Sequence, residues 1–277
     1  MALPFDAIGT ERPEVVVATI DPARSLAYAA ATNDDNPAYT SGELAPPVFA
    51  VVATSGLLFE VGAEIIPPEQ LLTLLHGEQD MRFHQALRPG MTLHTRARVH
   101  STRVGSTGTR LALALASTDD GGAPVVDQFV TLFLRGLTDG PDLGPDVPPH
   151  PLPESAREHV VATYTLHYDD DQTFRYRDAS GDANPIHLDA DLARSVGLPG
   201  IIVHGLCTFA MCSQAVIRTQ CAGDPARLAR LAGRFTSPAF PGNDVTVTMF
   251  DLGPGAVGYE ASSGGVVVLT NGLAEIR

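Results

Sequence analysis

Two stretches of this chain are too apolar for a protein surface, and any fold it adopts must bury both. Residues 48–62 are almost all apolar or small, and the residues from about Gly205 to Cys221 repeat that character. A surface helix shows an apolar stripe and an opposing polar face, so each stretch predicts a helix covered on most sides. Runs of strand character follow each one: 71–83, 92–103, 109–117 and 125–134 after the first, then 228–235, 245–251, 257–262 and 266–273 after the second. Turn residues such as Arg88-Pro89-Gly90, Gly105-Ser106 and Asp120-Gly121-Gly122 separate the earlier set, which suits antiparallel connections. A long helix wrapped by an antiparallel sheet, made twice, is an α+β chain.

The two passes share more than their order. The first opens with a strand at 14–19, a helix begun by Asp21-Pro22 and running through Ala31, and a polar loop at 32–39. The second opens with a strand near 159–166, a short helix at 169–178 and a loop around Asp182. Asn36-Pro37 has its counterpart in Asn184-Pro185, 148 positions further on. Arg82-Phe83 with Pro89-Gly90 matches Arg234-Phe235 with Pro241-Gly242 at an offset larger by one short loop insertion. Two motif pairs in register point to an internal duplication. Between the copies, residues 138–154 are dense in proline, which cannot join a sheet interior and favours a stiff, extended connector. The expected division is an N-terminal domain at 1–137, a linker at 138–154 and a C-terminal domain at 155–277.

Composition narrows the partners. At 277 residues, with 44% hydrophobic and 18% charged content, the chain can build sizeable cores and is not disordered. Its net charge of -14 argues against nucleic acid and against an anionic membrane surface, both of which need clustered positive charge. All 18 basic residues are Arg, which excludes Schiff-base lysine chemistry and a Walker lysine and leaves Arg to meet any phosphate. Cys207, Cys212 and Cys221 form no Cys-x-x-Cys pair; they read as reduced, apolar-packed thiols, with no structural zinc and a cytoplasmic setting expected. The N-terminal residues lack the basic and apolar regions of a signal peptide, and Glu275-Ile276-Arg277 is not a peroxisomal tripeptide. No uninterrupted apolar run reaches the roughly 18 residues of a membrane span.

The chemistry concentrates in Gly181-Asp182-Ala183-Asn184-Pro185-Ile186-His187. An acid, an amide and an imidazole fall within six residues, where Gly181 permits an unusual backbone angle and Pro185 fixes the turn. A water between Asp182 and His187 would be activated. Downstream, His204-Gly205 stands where the second buried helix should begin; a helix start offers free N–H groups and partial positive charge, which suits a carbonyl oxygen gaining negative charge.

These residues, preceded by Tyr176 and followed by Val203-His204-Gly205-Leu206-Cys207-Thr208-Phe209, resemble the MaoC-type (R)-specific enoyl-CoA hydratases, and among them the hydratase-2 type. His76-Gly77-Glu78-Gln79 and Arg234-Phe235 with Pro241-Gly242 extend the resemblance over nearly the whole chain. It implies two hot-dog folds paired as a double hot dog, an assembly into a homodimer, and hydration of a trans-2-enoyl thioester to the (R)-3-hydroxyacyl product, reversible as dehydration. In that reading Asp182 and His187 share the acid and base work and the Gly205 N–H holds the enolate oxygen. Asn184 orients substrate or dyad, His204 caps the helix, and Gly181, His204 and Arg234 meet the substrate, with Arg234 at the coenzyme A phosphates. Coenzyme A enters as part of the substrate, and no metal or redox cofactor is implied. Where relatives often carry a Lys three residues beyond that arginine, this chain has Ser237.

Under the same offset Asp182 falls on Asp34 and His187 on Tyr39, whose phenol cannot replace an imidazole at neutral pH. Leu44-Ala45-Pro46-Pro47-Val48 stands where Val203-His204-Gly205 would, and proline has no N–H to give. One working site in the C-terminal half is expected, with the N-terminal half helping to form acyl-binding space. The rivals are a dehydratase of carrier-protein or polyketide thioesters, and a non-catalytic thioester-binding subunit.

Overall fold

A computed structural model describes residue 3 and residues 5–10, 15–70 and 74–277, the side chain of Phe59 excepted. Glu14 and residues 71–73, expected to open two of the strands, lie outside these, as do residues 1, 2 and 4 of the N-terminal segment. The first half runs β1 (Val16–Thr19), α1 (Pro22–Ala31), α2 (Pro37–Thr40), α3 (Phe49–Ile65), β2 (Leu74–Phe83), β3 (Thr92–Val104), β4 (Gly108–Thr118) and β5 (Pro124–Arg135). The second runs β6 (Val160–His167), α4 (Gln172–Ser180), α5 (Ala190–Ser195), α6 (Gly205–Gln220), β7 (Leu228–Phe235), β8 (Asp244–Asp251), β9 (Ala256–Ser263) and β10 (Val266–Ile276). The short helices α2 and α5 and a 3-10 turn at Pro185–His187 stand where only loops were expected. Asn36, Asp189 and Asn184 cap them, each accepting a backbone N–H through its side chain. No helix among the described residues is long and apolar enough to cross a membrane.

Two compact units emerge. One holds Met1–Thr19, Ala53–Gln85 and Thr92–Pro149. Its strands pair antiparallel in the order β1-β3-β4-β5-β2, and Leu57, Val61 and Ile65 of α3 pack on Val99, Leu111, Leu113, Val130 and Leu132. From Gly56 onward α3 turns Glu60, Ala63 and Glu64 to solvent, so its second half is amphipathic rather than buried on most sides. Within 138–149 the proline-rich chain runs along the end of β3: Leu143 exchanges backbone bonds with Thr102, and Arg103 grips the carbonyls of Leu143 and Gly144 and the Asp146 carboxylate.

The other unit holds Ile20–Val52, Ala86–Met91 and His150–Arg277. Residues 20–52 therefore group with the C-terminal half, unlike the expected division at 137. The reason is local: α1 packs on α4, where Tyr28 Oη meets Tyr176 Oη at 3.3 Å and Arg24 donates to the carbonyls of Ala179 and Ser180. The sheet order is β7-β10-β9-β8-β6, all antiparallel. α6 packs against β6, β7, β8 and β10, and every residue from Cys207 to Ile217 is buried. Its buried polar groups need partners: Thr208 meets Tyr168 Oη at 2.9 Å, and Gln214 donates to the Asn33 carbonyl at 2.9 Å.

Gly272 on β10 lies opposite Tyr259, and a Cβ there would sit 2.4 Å from the Tyr259 carbonyl oxygen. Backbone cannot swing aside as a side-chain end can. Gly272→Ala is expected to cost on the order of 2 kcal/mol through overpacking, read as a fall in the denaturant midpoint at unchanged m-value.

Candidate active site

The Asp182 segment is shaped by its own short side chains. Gly181 ends α4 in the left-handed region at φ 83°, which turns the chain out of the helix. The Asn184 N–H donates to Asp182 Oδ1 at 3.1 Å, and the Ile186 N–H donates to Asn184 Oδ1 at 3.3 Å. These linked Asx turns hold the carboxylate against its own loop and start the 3-10 turn that carries His187. Asn184 and Gly181 are exposed, Asp182 is half-buried and His187 is buried.

His187 Nδ1 lies 2.8 Å from the Ile202 carbonyl oxygen. A carbonyl can only accept, so Nδ1 carries the proton and Nε2 keeps its lone pair. Burial holds the His187 pKa below its ordinary 6.5, against the opposing pull of the Ile202 bond and the Asp182 charge. The ring is a neutral base at pH 7, with its basic nitrogen settled by the fold.

His204 precedes α6 at its N-cap position but makes no side-chain cap bond, which corrects the expected capping role. Its Nε2 donates to the Asp182 carbonyl oxygen at 3.1 Å. The ring stacks on His187 at 3.8 Å between centroids and 26° between planes, and a tilted Tyr176 ring lies 4.8 Å away. At 1% exposure the side chain is enclosed by these neighbours rather than presented to a ligand. Burial first, then His187, pushes its pKa down. Asp182, His187 and His204 bring potential metal-ligand atoms within 4.8 Å of one another. The stack sends the two rings' lone pairs along nearly parallel planes, however, and tetrahedral or octahedral coordination needs them to converge.

Gly205 is the first residue of α6, so its N–H has no intrahelical acceptor. A Cβ at this position would lie 3.3 Å from the Phe235 ring; the absent side chain is what lets that ring close over the helix start. Strand alternation then turns exposed Arg234 toward the opposite face of β7, so the structure does not gather its side chain with Asp182 and His187. Arg24 and Tyr28 also reach α4, and no motif marks either of them. The offset of 148 that pairs Tyr28 with Tyr176 could have found the second; Arg24 meets the last carbonyls of α4, a favourable place for a cation.

The first copy of the loop keeps the same turns. Asn33 takes φ 55° where Gly181 stands, the Asn36 N–H donates to Asp34 Oδ1 at 3.1 Å, and the Ala38 N–H donates to Asn36 Oδ1 at 3.0 Å. This copy packs on the far end of α6: Asn36 donates to the Gly223 carbonyl, and Gln214 donates to that of Asn33. Tyr39 stands where His187 does, its Oη buried with no hydrogen-bond partner among the described residues. Burial raises the Asp34 pKa from 3.8 to about 6, against the Asn36 N–H, Arg218 and Gln214.

Residues 152–268 match the MaoC like domain and residues 6–128 match the FAS1-like dehydratase domain region. A probable enoyl-CoA hydratase 2 of Dictyostelium discoideum is 28% identical, over 83% of this chain and 80% of its own. The 3-hydroxyacyl-thioester dehydratase Y of Mycobacterium tuberculosis is 31% identical over 73% of this chain and 72% of its own. A MaoC-like dehydratase crystal structure from Phytophthora capsici superposes with a TM-score of 0.90 at 27% identity, covering 99% of this chain and 98% of that one. The scaffold is an α+β double hot dog with an acid-and-imidazole loop at the start of one buried helix. The chain belongs to the MaoC-like family of hydratases and dehydratases.

Two titrations test the electrostatics. Nitrogen-detected NMR should find His187 titrating below 6.5, and lower still in Asp182→Asn, since the lost charge is one of the influences that raise it. A folded-state pKa raised at Asp34 contributes stability that is full below 3.8 and lost as pH rises through about 6. Asp34→Asn should therefore stabilise the protein at pH 7.5, by an amount on the order of 2 kcal/mol, and leave stability near pH 4 unchanged.

Proposed function

We propose that the protein is a hydro-lyase that adds water across the double bond of a trans-2-enoyl-CoA to give the (R)-3-hydroxyacyl-CoA, and runs in reverse as a dehydratase. The observation that carries this reading is the free Nε2 of a buried, neutral His187, beside Asp182 and at the start of α6. A water held by the Asp182 carboxylate and His187 Nε2 gives a proton to the pair as its oxygen attacks the β carbon. Negative charge then moves to the thioester oxygen, where the Gly205 N–H and the positive helix end stabilise it. The pair returns a proton to the α carbon, so one H and one OH have been added and the enzyme is restored. Asn184 acts by holding the Asp182 carboxylate through its backbone N–H, and Gly181 by turning the chain toward the site.

The (R) outcome is supported by the family and by the similarity to an enoyl-CoA hydratase 2. Coenzyme A is recognised as part of the substrate, without a metal or redox group. Its pantetheine arm separates thioester from phosphates, so an arginine apart from the dyad, such as Arg234, suits the phosphate end. A cytoplasmic location and a homodimer complete the reading as proposals.

Hydration of crotonyl-CoA with chiral analysis of the product is the direct test. Asp182→Asn and His187→Ala should each lower kcat by about 10²–10⁴-fold, with KM much less affected. Formation of the (S) product, or turnover untouched by both substitutions, would overturn the assignment.

A further inference from the structure

We propose that His204 is a positioning residue that fixes Asp182 and His187 relative to one another, with a separate grip on each. This rests on the hydration reading for its catalytic consequence, but not for its geometry. One grip is a hydrogen bond: Nε2–H to the Asp182 carbonyl at 3.1 Å. The other is a stack: a ring face on His187 at 3.8 Å and 26°. No other side chain among the described residues is shown holding both partners in this way.

The two grips constrain different freedoms. The bond to the Asp182 carbonyl anchors main chain, so it restrains the half-buried loop whose outer residues Gly181, Ala183, Asn184 and Pro185 are exposed. The Ile202 bond holds one edge of the His187 ring but leaves rotation about that edge open; the stacked face closes it. A displacement of about 1 Å in a reacting group is worth roughly 10²-fold in rate, so a residue with both restraints affects the chemistry without touching substrate.

His204 is itself braced for this task. The Tyr176 ring lies against it, tilted by 42° at 4.8 Å between centroids, and Tyr28 braces Tyr176 through the 3.3 Å hydroxyl contact and a ring contact at 5.5 Å. The bond to a carbonyl requires His204 to keep its proton on Nε2, which leaves Nδ1 a buried lone pair with no partner among the described residues. Leaving a buried acceptor unpaired costs stability. A side chain chosen for packing alone would be an apolar ring.

Two variants of the full chain separate the grips. His204→Phe keeps a stackable ring and loses the donor, whereas His204→Gln keeps a donor and loses the stack. Both are measured for kcat and KM with crotonyl-CoA, for amide exchange at Ala183 and Asn184, and for the His187 ring nitrogens by NMR. Thermal unfolding of both must first give a cooperative transition. The expected result is a fall in kcat of at least about tenfold in each variant with KM within about threefold. Exchange at Ala183 and Asn184 should quicken by about fivefold or more in His204→Phe only. The Nδ1–H signal of His187 should broaden or mix tautomers in His204→Gln only. Kcat within about twofold of wild type in both variants, or identical exchange and NMR responses in both, would overturn the proposal. If wild type hydrates no enoyl-CoA, the hydration reading falls, and the exchange and NMR measurements still decide the role of His204.

Discussion

A helix with no solvent-facing side dictates the rest of this structure. α6 is buried continuously from Cys207 to Ile217, so chain must cover it all round. The strands supply one side and residues of both halves the others: Gln214 reaches Asn33, and the Arg218 guanidinium meets Asp35. Only the two ends of α6 are left to do anything besides pack, and they are electrostatically opposite. At the start lie Gly205, the Phe235 ring and the Asp182 loop; at the finish lie Cys221, Gly223 and the Asp34 loop. The enclosure that stabilises the helix also buries one ionisable side chain of each loop, which is why His187 is pushed toward its neutral form and Asp34 toward its protonated one.

Much of this was legible in the sequence because the information is local. The apolar runs predict the long helices, runs of strand character divided by turn residues predict the strands, and Gly181 and Pro185 predict a shaped loop, since each acts through its own backbone angle. The missed helices α2 and α5 are short and lie in polar stretches where capping decides, as Asp189 shows by accepting from two N–H groups at once. His204 was misread for a related reason. Its position before the helix is a cap position, but a ring has two directions to bond, and the tertiary partner at Asp182 won over the helix's own N–H groups. No spacing rule could show that the same ring stacks on His187 seventeen positions earlier. Arg234 went the other way: its motif match says nothing about strand alternation, which turns it from the face that carries Phe235.

The grouping of residues 20–52 with the C-terminal half also escaped a reading made one half at a time. A proline-rich connector marks where one copy stops in sequence, but duplicated chains can exchange packing surfaces. Here α1 finds its partner in α4, the element that occupies its own place in the other copy, so that Tyr28 meets Tyr176 across equivalent positions. The contact is a symmetric one made between sequences that no longer match: Arg24 serves the α4 terminus, where a residue near Gln172 would stand in the reverse direction.

That broken symmetry explains why two copies of one loop give one reactive centre. Both keep the Asx turns, so backbone shape is not the difference. Replacing Tyr39 by His would restore an imidazole, yet its loop would still lie toward the carbonyl end of α6, where Asn36 already donates to Gly223. A developing enolate there would meet partial negative charge instead of free N–H groups. Pro46 and Pro47 before α3 remove further donors from the first half. On the proposed reading the first copy differs in its environment as well as in its side chain. Its loop packs on the end of α6 through the Asn36 and Gln214 bonds.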